Sequence, residues 1–189
     1  MIKIGILGNI GSGKSYIANN FGYPVFNADN EVVKLYREDK KVFNLLNKEL
    51  PQLITKFPID KNEITKAILS NKKNLKKIIN IVHKEIKKKM KLFLKKNRNK
   101  KIVILDVPLL LENKLNGKND ILVYVDAKTS NIEKKLKKRT NFNRKLYNKF
   151  KKIQFSGFYK KRKSDFIIKN NFMKKNIKID IKNILKKVL

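Results

Sequence analysis

A glycine-rich loop near the N-terminus constrains the fold of this chain more than any other feature. Residues 8–15 read GNIGSGKS and match the pattern G-x-x-x-x-G-K-[ST], in which backbone N–H groups surround a phosphate. The apolar residues 4–7 predict a buried strand before the loop, and residues 15–21 predict a helix after it. Because the pattern binds nucleotide phosphates in this strand–loop–helix context, we expect an α/β fold that binds ATP. The other interpretation is a glycine-rich turn without a ligand.

The fixed positions of the loop each have a physical reason. Gly8, Gly11 and Gly13 allow backbone angles that turn consecutive N–H groups inward around a phosphate. Lys14 can reach the β- and γ-phosphate oxygens of ATP, and the hydroxyl of Ser15 is suited to bind the Mg²⁺ that bridges them. The candidate nucleotide contacts are therefore Asn9, Ile10, Gly11, Ser12, Gly13, Lys14, Ser15 and Tyr16, with Ser15 also a candidate metal ligand.

The composition favours a single domain in a reducing compartment. The chain has 189 residues, enough for one domain with a hydrophobic core, and it contains no cysteine for disulfide bonds or thiolate metal sites. The first predicted strand begins at residue 2, so we expect no signal peptide. No apolar run approaches the roughly 20 residues that cross a bilayer. We predict a cytoplasmic protein, monomeric and without a membrane partner.

The large positive charge allows two interpretations. The formal net charge is +33, from 48 Lys and Arg against 15 Asp and Glu. A charge of this sign and size is typical of proteins that bind nucleic acid, and ATP would then act as a switch. The lysines are spread from end to end, however, among many asparagines and isoleucines, which indicates a compositional bias instead. We predict no nucleic-acid partner, although a basic surface would concentrate ATP and other polyanions.

Asp29 follows the predicted second strand, which consists of Val25 and Phe26. In open α/β sheets the carboxyl ends of the strands border the ligand crevice. A carboxylate at that position can accept a proton from an attacking hydroxyl or hold a water on Mg²⁺. Asp is also a favoured N-cap, so Asp29 can equally precede the helix predicted from Asn30. The residues alone do not decide between these interpretations.

Residues 31–97 have a helical pattern that is interrupted at Pro51 and Pro58. A long amphipathic helix is predicted where apolar residues recur at steps of three and four, from Leu75 to Leu94. His83, the one histidine of the chain, lies in this helix, and a lone histidine cannot form a metal site. His83 is therefore either a contact to the second substrate or an ordinary residue of the helix.

A second carboxylate follows the next predicted strand. Residues 102–105 are apolar and lead into Asp106, which fits a buried strand that ends in a carboxylate assisting Mg²⁺, or alternatively a capping aspartate. Pro108 then ends the strand ladder and turns the chain before Leu109. A fourth strand is predicted at 120–126. A helix is expected to run from an N-cap at Thr129 or Ser130 through Arg139.

Residues 139–163 are dense in lysine and arginine. In an enzyme that transfers phosphoryl groups, such a segment is typical of a lid that supplies positive charge and excludes water. Arg139 and Arg144 are the strongest candidates because a guanidinium group binds phosphate oxygens in pairs. Most of the lysines fit a solvated helix face equally well. A last short strand is predicted at 165–171, which contains Asn170, and a final helix at 176–189.

Several separated motifs occur in the order found in the dephospho-CoA kinase family of P-loop kinases, which the chain resembles. Residues 5–15, GILGNIGSGKS, resemble the family's GLTGGIGSGKS. The NAD at 27–29 resembles its DAD, with Asn27 in place of the first aspartate. LDVPLLLE at 105–112 is similar to D-x-P-L-L-F-E, with Leu111 for phenylalanine.

The resemblance continues through the rest of the chain. Val82-His83 falls at a His-Pro pair of the family, with Lys84 in place of the proline. Arg139 falls at the arginine that begins the lid, where Thr140 replaces the usual aspartate. Gln154 and the SDFIIKN at 164–170 resemble the closing pattern Q…A-D-x-x-I-x-N. The lid, in which several family arginines are lysines, departs most from the pattern, and lysine cannot reproduce the bidentate geometry of arginine.

The resemblance implies a three-layer P-loop kinase fold. Its sheet would have five parallel strands in the order 2-3-1-4-5, with helices on both faces, an arrangement that the right-handed β-α-β rule permits. The core would cover about 1–30, 98–138 and 164–189, a helical acceptor-binding insertion about 31–97, and the lid about 139–163.

The resemblance also implies a reaction, the ATP-dependent phosphorylation of the ribose 3′-hydroxyl of dephospho-CoA, the last step of coenzyme A synthesis. Asp29 would be the general base, with Lys14 and Arg139 as further catalytic residues, and the substrate would contact Asp29, His83, Pro108 and Leu109. Arg144 and Asn170 would join the loop in binding ATP, and Ser15 and Asp106 would hold Mg²⁺. The alternative within the same superfamily is a nucleoside or nucleoside monophosphate kinase.

Overall fold

The structure is a computed structural model that describes residues 1–140 and 142–189, with the backbone alone at 174 and 175. Asn141, which falls in the predicted lid, lies outside the described residues. Five strands form one sheet in the order β2-β3-β1-β4-β5. The strands are β1 Ile2–Gly8, β2 Val25–Asn27, β3 Ile102–Asp106, β4 Ile121–Asp126 and β5 Phe166–Lys169.

Every strand pair in this sheet is parallel. The central strand β1 is flanked on both sides, and Ile4 is in register with Ile104 on one neighbour and Ile121 on the other. Parallel strands covered on both faces read as continuous apolar runs, which explains the sequences of β1, β3 and β4. The predicted α/β class and the predicted strand order 2-3-1-4-5 are confirmed.

The helices occur between and after the strands along the chain. They are α1 Lys14–Asn20, α2 Ala28–Glu38, α3 Lys40–Glu49, α4 Lys61–Ser70, α5 Lys72–Lys96, α6 Thr129–Lys137, α7 Arg144–Ile153, α8 Gly157–Arg162 and α9 Lys174–Val188. Within the described parts of the chain, none of these helices combines the length and the apolar character that a membrane span requires.

The chain divides into two compact units. Unit 1 consists of Met1–Asn27 and Lys96–Leu189 and contains the sheet, whereas unit 2 is the helical segment Ala28–Lys95. The core of unit 1 joins the buried residues of β1, β3, β4 and β5 to apolar residues of α1 and α9. The predicted roles of a core, an acceptor-binding insertion and a lid remain predictions.

Unit 2 forms through helix caps and an apolar interior. The Asp39 side chain accepts a hydrogen bond from the backbone N–H of Val42 at 3.1 Å, which caps the first turn of α3. Asp60 caps α4 in the same way, with its carboxylate 2.8 Å from the N–H of Asn62. The predicted long helix is confirmed as α5, which buries apolar residues at the expected spacing, Leu75, Ile78, Val82, Ile86 and Met90.

Two local predictions are corrected by the structure. Asp29 neither follows a strand directly nor precedes its helix, because α2 begins at Ala28, immediately after β2 ends at Asn27. Asp29 therefore lies in the first turn of α2. The helix expected to run through Arg139 ends at Lys137, and its N-cap is Lys128, which makes no side-chain capping bond.

Candidate active site

The phosphate loop is a tight turn between β1 and α1. The N–H of Ser12 donates to the carbonyl oxygen of Asn9 at 3.1 Å, which closes the turn. Gly13 has a left-handed conformation with φ of 94°, and a Cβ at that position would lie 2.4 Å from Nδ2 of Asn170. A Cβ on Gly8 would lie 2.6 Å from Oγ of Ser12. Glycine is therefore required at both positions for the loop to close.

Asn170 braces this loop from the end of β5. Its Nδ2 donates to the carbonyl oxygen of Ser12 at 2.8 Å, and its Oδ1 accepts from the N–H of Phe172 at 2.8 Å. Only 3% of Asn170 is exposed, so these bonds form away from water. Buried amides that are satisfied in this way specify one geometry. The side chain that the sequence suggested as a nucleotide contact thus holds the loop itself.

Lys14 lies over its own loop. Its Nζ donates to the carbonyl oxygens of Asn9 at 3.1 Å and of Gly8 at 3.3 Å. Its positive charge also acts on the carboxylate of Asp106, whose pKa it lowers. The ammonium group is consequently held between the loop carbonyls and the end of β3.

Asp106 ends β3 and is 3% exposed. Its Oδ2 accepts a hydrogen bond from Nδ2 of Asn27 at 2.7 Å, and it is also hydrogen-bonded to the side chain of Ser15. Burial raises the pKa of Asp106 and outweighs three opposing effects, the Ser15 hydrogen bond, the Lys14 charge and the Asn27 hydrogen bond. The side chain at position 27 is an amide and donates to the Asp106 carboxylate, whereas an ionised aspartate at position 27 would repel that carboxylate.

The hydroxyl of Ser15 and the carboxylate of Asp106 are hard oxygen donors in contact with each other, which suits Mg²⁺. Mg²⁺ usually takes only one or two ligands from protein and completes its shell with water and substrate phosphate. In residues 1–140 and 142–189, no group of three or more His, Cys, Asp or Glu could hold a metal ion. The described donor set therefore fits a Mg²⁺ that arrives with a nucleotide better than a permanent metal centre.

The turn after β3 carries the candidate acceptor contacts Pro108 and Leu109, which are both half-buried. Their carbonyl oxygens are fixed by side-chain amides. Nε2 of Gln154 donates to Pro108 at 3.4 Å, and Nδ2 of Asn113 donates to Leu109 at 2.9 Å. The turn is thereby shaped from two sides.

The two candidate lid arginines are both exposed. Arg139 lies two residues beyond the end of α6, and its carbonyl oxygen accepts from the N–H of Phe142 at 3.1 Å. Arg144 begins α7, and its guanidinium lies 5.8 Å from the ring centroid of Phe142. Asn143 caps this helix, with Oδ1 2.9 Å from the N–H of Leu146. The helix buries none of its residues, and its cations Arg144, Lys145, Lys151 and Lys152 are exposed.

Sequence reasoning missed one feature of this region, the burial of Lys160. It counted Lys160 among the lid cations, but the residue is only 1% exposed and its Nζ lies 3.1 Å from Oε1 of Glu112. Glu112 was visible as the last letter of the PLLLE motif, without a role. In a chain this rich in lysine, no signal in the sequence distinguishes the buried one.

The structure brings together most of the unit 1 candidates. Lys14, Ser15 and Asp106 lie together at the ends of β1 and β3, and Asn170 contacts the phosphate loop. Tyr16 is exposed on α1. The remaining loop candidates are the half-buried Asn9, Ile10, Gly11 and Gly13, and the buried Ser12.

Two candidates belong to unit 2 and are described within it. Asp29 is exposed in the first turn of α2, and His83 is half-buried in α5. Neither position by itself tests the role that the sequence suggested.

Comparison with known proteins places this geometry in a family. The family model for dephospho-CoA kinase matches residues 2–176. A dephospho-CoA kinase of Wolbachia sp. subsp. Brugia malayi is 33% identical over 187 residues, which is 96% of this chain and 95% of that protein.

Solved structures share the fold. A Thermus thermophilus protein superposes with a TM-score of 0.77 at 24% identity, covering 100% of this chain and 98% of that one. A dephospho-CoA kinase from Campylobacter jejuni gives a TM-score of 0.64 at 20% identity, covering 98% of this chain and 96% of that one. The family match over nearly the whole chain and the phosphate loop beside Asp106 lead to one conclusion: this chain belongs to the dephospho-CoA kinase family.

Proposed function

We propose that this protein transfers the γ-phosphoryl group of ATP to the ribose 3′-hydroxyl of dephospho-CoA, giving CoA and ADP. The observation that carries the proposal is the cluster of Lys14, Ser15 and Asp106 beside a closed phosphate loop, in a chain that matches the family model over residues 2–176. Phosphoryl transfer requires positioning and electrostatic stabilisation more than covalent chemistry, and this cluster can provide both.

The loop would bind the phosphates of ATP. Its backbone N–H groups and the ammonium of Lys14 would supply the positive charge that faces the phosphates. Lys14 would exchange its bonds to the carbonyls of Gly8 and Asn9 for bonds to phosphate oxygens. Asn170 would support binding indirectly, because its bond to Ser12 keeps the loop closed.

Ser15 and Asp106 would hold Mg²⁺. A bound Mg²⁺ neutralises charge on the β- and γ-phosphates and orients them for transfer. Asn27 would fix the Asp106 carboxylate through its 2.7 Å hydrogen bond, leaving the other carboxylate oxygen for the metal or its water. Ser15 would exchange its bond to Asp106 for a bond to the ion.

Asp29 would accept the proton of the attacking 3′-hydroxyl. Support comes from its exposure in the first turn of α2 and from its place in the sequence, two residues after Asn27, which bonds to Asp106. The resemblance of residues 27–29 to the family's DAD points to the same residue. A carboxylate used as a base in this way contributes roughly 10²–10⁴-fold to rate.

The remaining roles follow the predicted division of the chain. Residues 31–97, with His83, would bind the acceptor together with Pro108 and Leu109. Residues 139–163 would form the lid, in which Arg139 and Arg144 stabilise charge on the transferring group. Their exposure supports this role because guanidinium groups in solvent are free to meet an incoming polyanion. A cytoplasmic location and a monomeric state complete the proposal.

The test is transfer of phosphate from ATP with Mg²⁺ to four acceptors: dephospho-CoA, adenosine, AMP and CMP. We expect a product with dephospho-CoA alone, with the new phosphate on the ribose 3′-oxygen by ³¹P NMR. Transfer to AMP, CMP or adenosine would instead show a nucleoside or nucleoside monophosphate kinase. Hydrolysis of ATP without transfer would leave the phosphate loop as an ATP site and refute the proposed acceptor.

A further inference from the structure

Lys160 and Glu112 form an ion pair that is almost completely removed from water. Their side chains are 1% and 8% exposed, and Nζ of Lys160 lies 3.1 Å from Oε1 of Glu112. This contact does not have the geometry of a hydrogen bond. Neither Nζ of Lys160 nor Oε2 of Glu112 has a hydrogen-bond partner among the described residues. The charge of Lys160 therefore depends on Glu112 for compensation. Because such a pair is weak evidence for stability, its position suggests a further role.

Glu112 joins two separate segments of unit 1. It lies in the turn after β3, and its Oε1 also accepts a hydrogen bond from the N–H of Phe155 at 2.8 Å. Phe155 lies in the short connection between α7 and α8. The neighbouring Gln154 donates to the carbonyl oxygen of Pro108 in the same turn. One carboxylate thus holds both the start of this connection and, through Lys160, the helix that follows it.

The same helix is packed against the phosphate loop. A Cβ added to Gly157, the first residue of α8, would lie 2.7 Å from the hydroxyl of Tyr124 and 3.3 Å from the side chain of Asn9. A larger residue at 157 would therefore disturb the packing of α8 against Tyr124 and Asn9. The C-terminal end of the lid is therefore attached to two parts of the site at once, the turn that follows Asp106 and the loop that precedes Lys14.

The lid helix itself has a different character. Helix α7 buries none of its residues, and Arg144 at its beginning is exposed. The attachment that follows it depends on the buried side chain of Lys160 and on the hydrogen bond between the Phe155 amide and Glu112. The freedom of α7 to move is thus limited at its C-terminal end, where Glu112 binds the connection to α8.

We propose that Glu112 and Lys160 are positioning residues that fix the C-terminal end of the lid beside the phosphate loop. Closure of α7 would then start from one fixed end and bring Arg144 to the same place each time. The inference rests on the proposed function, because the lid acts on transfer only if this protein is a kinase. Its consequence is that the pair governs how well the lid excludes water from the transferring phosphoryl group.

The test compares variants that separate this role from stability. Lys160→Met and Glu112→Gln each leave one buried charge without its partner, and both are expected to be less stable. The double variant Glu112→Gln/Lys160→Met removes both charges and is expected to regain most of that stability. Lys160→Arg keeps the charge. Lys161→Met is the matched control, because Lys161 is the next residue of α8 and forms an exposed pair with Asp126 at 2.9 Å.

The readout is the ratio of ATP hydrolysis to phosphate transfer, which does not depend on the fraction of folded enzyme. We expect this ratio to rise about tenfold in the double variant, because a lid without a fixed end admits water as a competing acceptor. Lys160→Arg, which keeps the charge, should raise the ratio less than the double variant does. Lys161→Met should stay within about twofold of the parent protein. An unchanged ratio in the double variant would show that the pair serves stability alone and would overturn the proposal.

Hydrogen exchange of residues 144–156 gives a second readout that needs no transfer. We expect faster exchange at the Phe155 amide in the double variant and in Glu112→Gln, but parent-like exchange in Lys161→Met. If the parent protein does not phosphorylate dephospho-CoA, the proposed function fails and exchange alone decides about the ion pair. If the parent transfers phosphate while ratio and exchange are unchanged in the variants, the ion-pair proposal fails by itself.

Discussion

The phosphate loop and the lid are both expected to meet the phosphates of ATP, but the protein holds them in opposite ways. Ser12 and Asn170 are 1% and 3% exposed. Their hydrogen bond joins the loop to the residue that follows the edge strand β5. Arg139 and Arg144 are exposed, and α7 buries none of its residues. The loop is therefore organised before a ligand arrives, whereas the two arginines of the proposed lid lie in solvent.

Because the loop is organised and the two arginines are exposed, we expect the two regions to contribute at different stages of phosphoryl transfer. Organised donors bind the ground state and the transition state without further ordering. The exposed arginines would act only after the proposed lid closes, so their contribution would depend on that motion. We expect variants of the loop to lose ATP affinity and rate together, and variants of the lid to lose rate while ATP still binds.

The largest effect is expected from a residue that belongs to neither region. Asp29→Asn should reduce transfer by roughly 10²–10⁴-fold because it removes the proton acceptor and leaves the phosphate loop intact. Steady-state kinetics with dephospho-CoA would measure the loss, and calorimetric titration should show unchanged ATP binding. Near-normal turnover of this variant would assign the base to another group.

The next largest effect is expected in the phosphate loop, which is organised before ATP binds. Lys14→Ala should weaken ATP binding and lower turnover by roughly 10²–10³-fold, because it removes the ammonium group held between the loop and Asp106. Lys3→Ala is a control in the same unit, since Lys3 pairs with Asp120 at 2.7 Å and lies at the opposite end of β1 from the loop. Equal kinetics for the two variants would remove Lys14 from phosphate binding.

The smallest effect is expected in the proposed lid, whose two arginines are exposed. Arg144→Ala should lower turnover by about tenfold, or ~1.4 kcal/mol, because the lid is rich in lysines that replace part of its charge. Lys145→Ala changes the next residue of α7 and should stay within about twofold, since lysine lacks the bidentate geometry. Initial rates at saturating ATP compare the pair. If the lysine variant lost as much as the arginine variant, the lid would contribute only net charge.

Most of the fold could be predicted from the sequence, for a specific reason. Parallel strands buried on both faces leave apolar runs such as residues 102–105, and the phosphate loop fixes the direction of the chain around β1. The order of the strands came from the resemblance to a family, and the pairing confirms it. Helix ends were less accurate, as Asp29 and Arg139 show, because capping signals are short and interchangeable.

The site was predictable where chemistry fixes both residue type and spacing. Lys14, Ser15 and Asp106 were proposed in this way, and the structure brings them together, while their roles in binding stay predictions. The positions of Asn170 and Lys160 could be recognised only from the structure. The side-chain amide of Asn170 donates to the carbonyl oxygen of Ser12, which lies 158 positions earlier in the sequence. Lys160 is one lysine among many, and only its burial against Glu112 distinguishes it.

The most direct test of this division is calorimetric titration of ATP into Lys14→Ala and Arg144→Ala, beside the parent protein. We expect the loop variant to lose measurable ATP binding. The lid variant should bind ATP within about threefold of the parent, because the exposed guanidinium of Arg144 would act only after closure. If Arg144→Ala lost ATP affinity as completely as Lys14→Ala, the lid would be part of the ground-state binding site and the proposed division would be wrong.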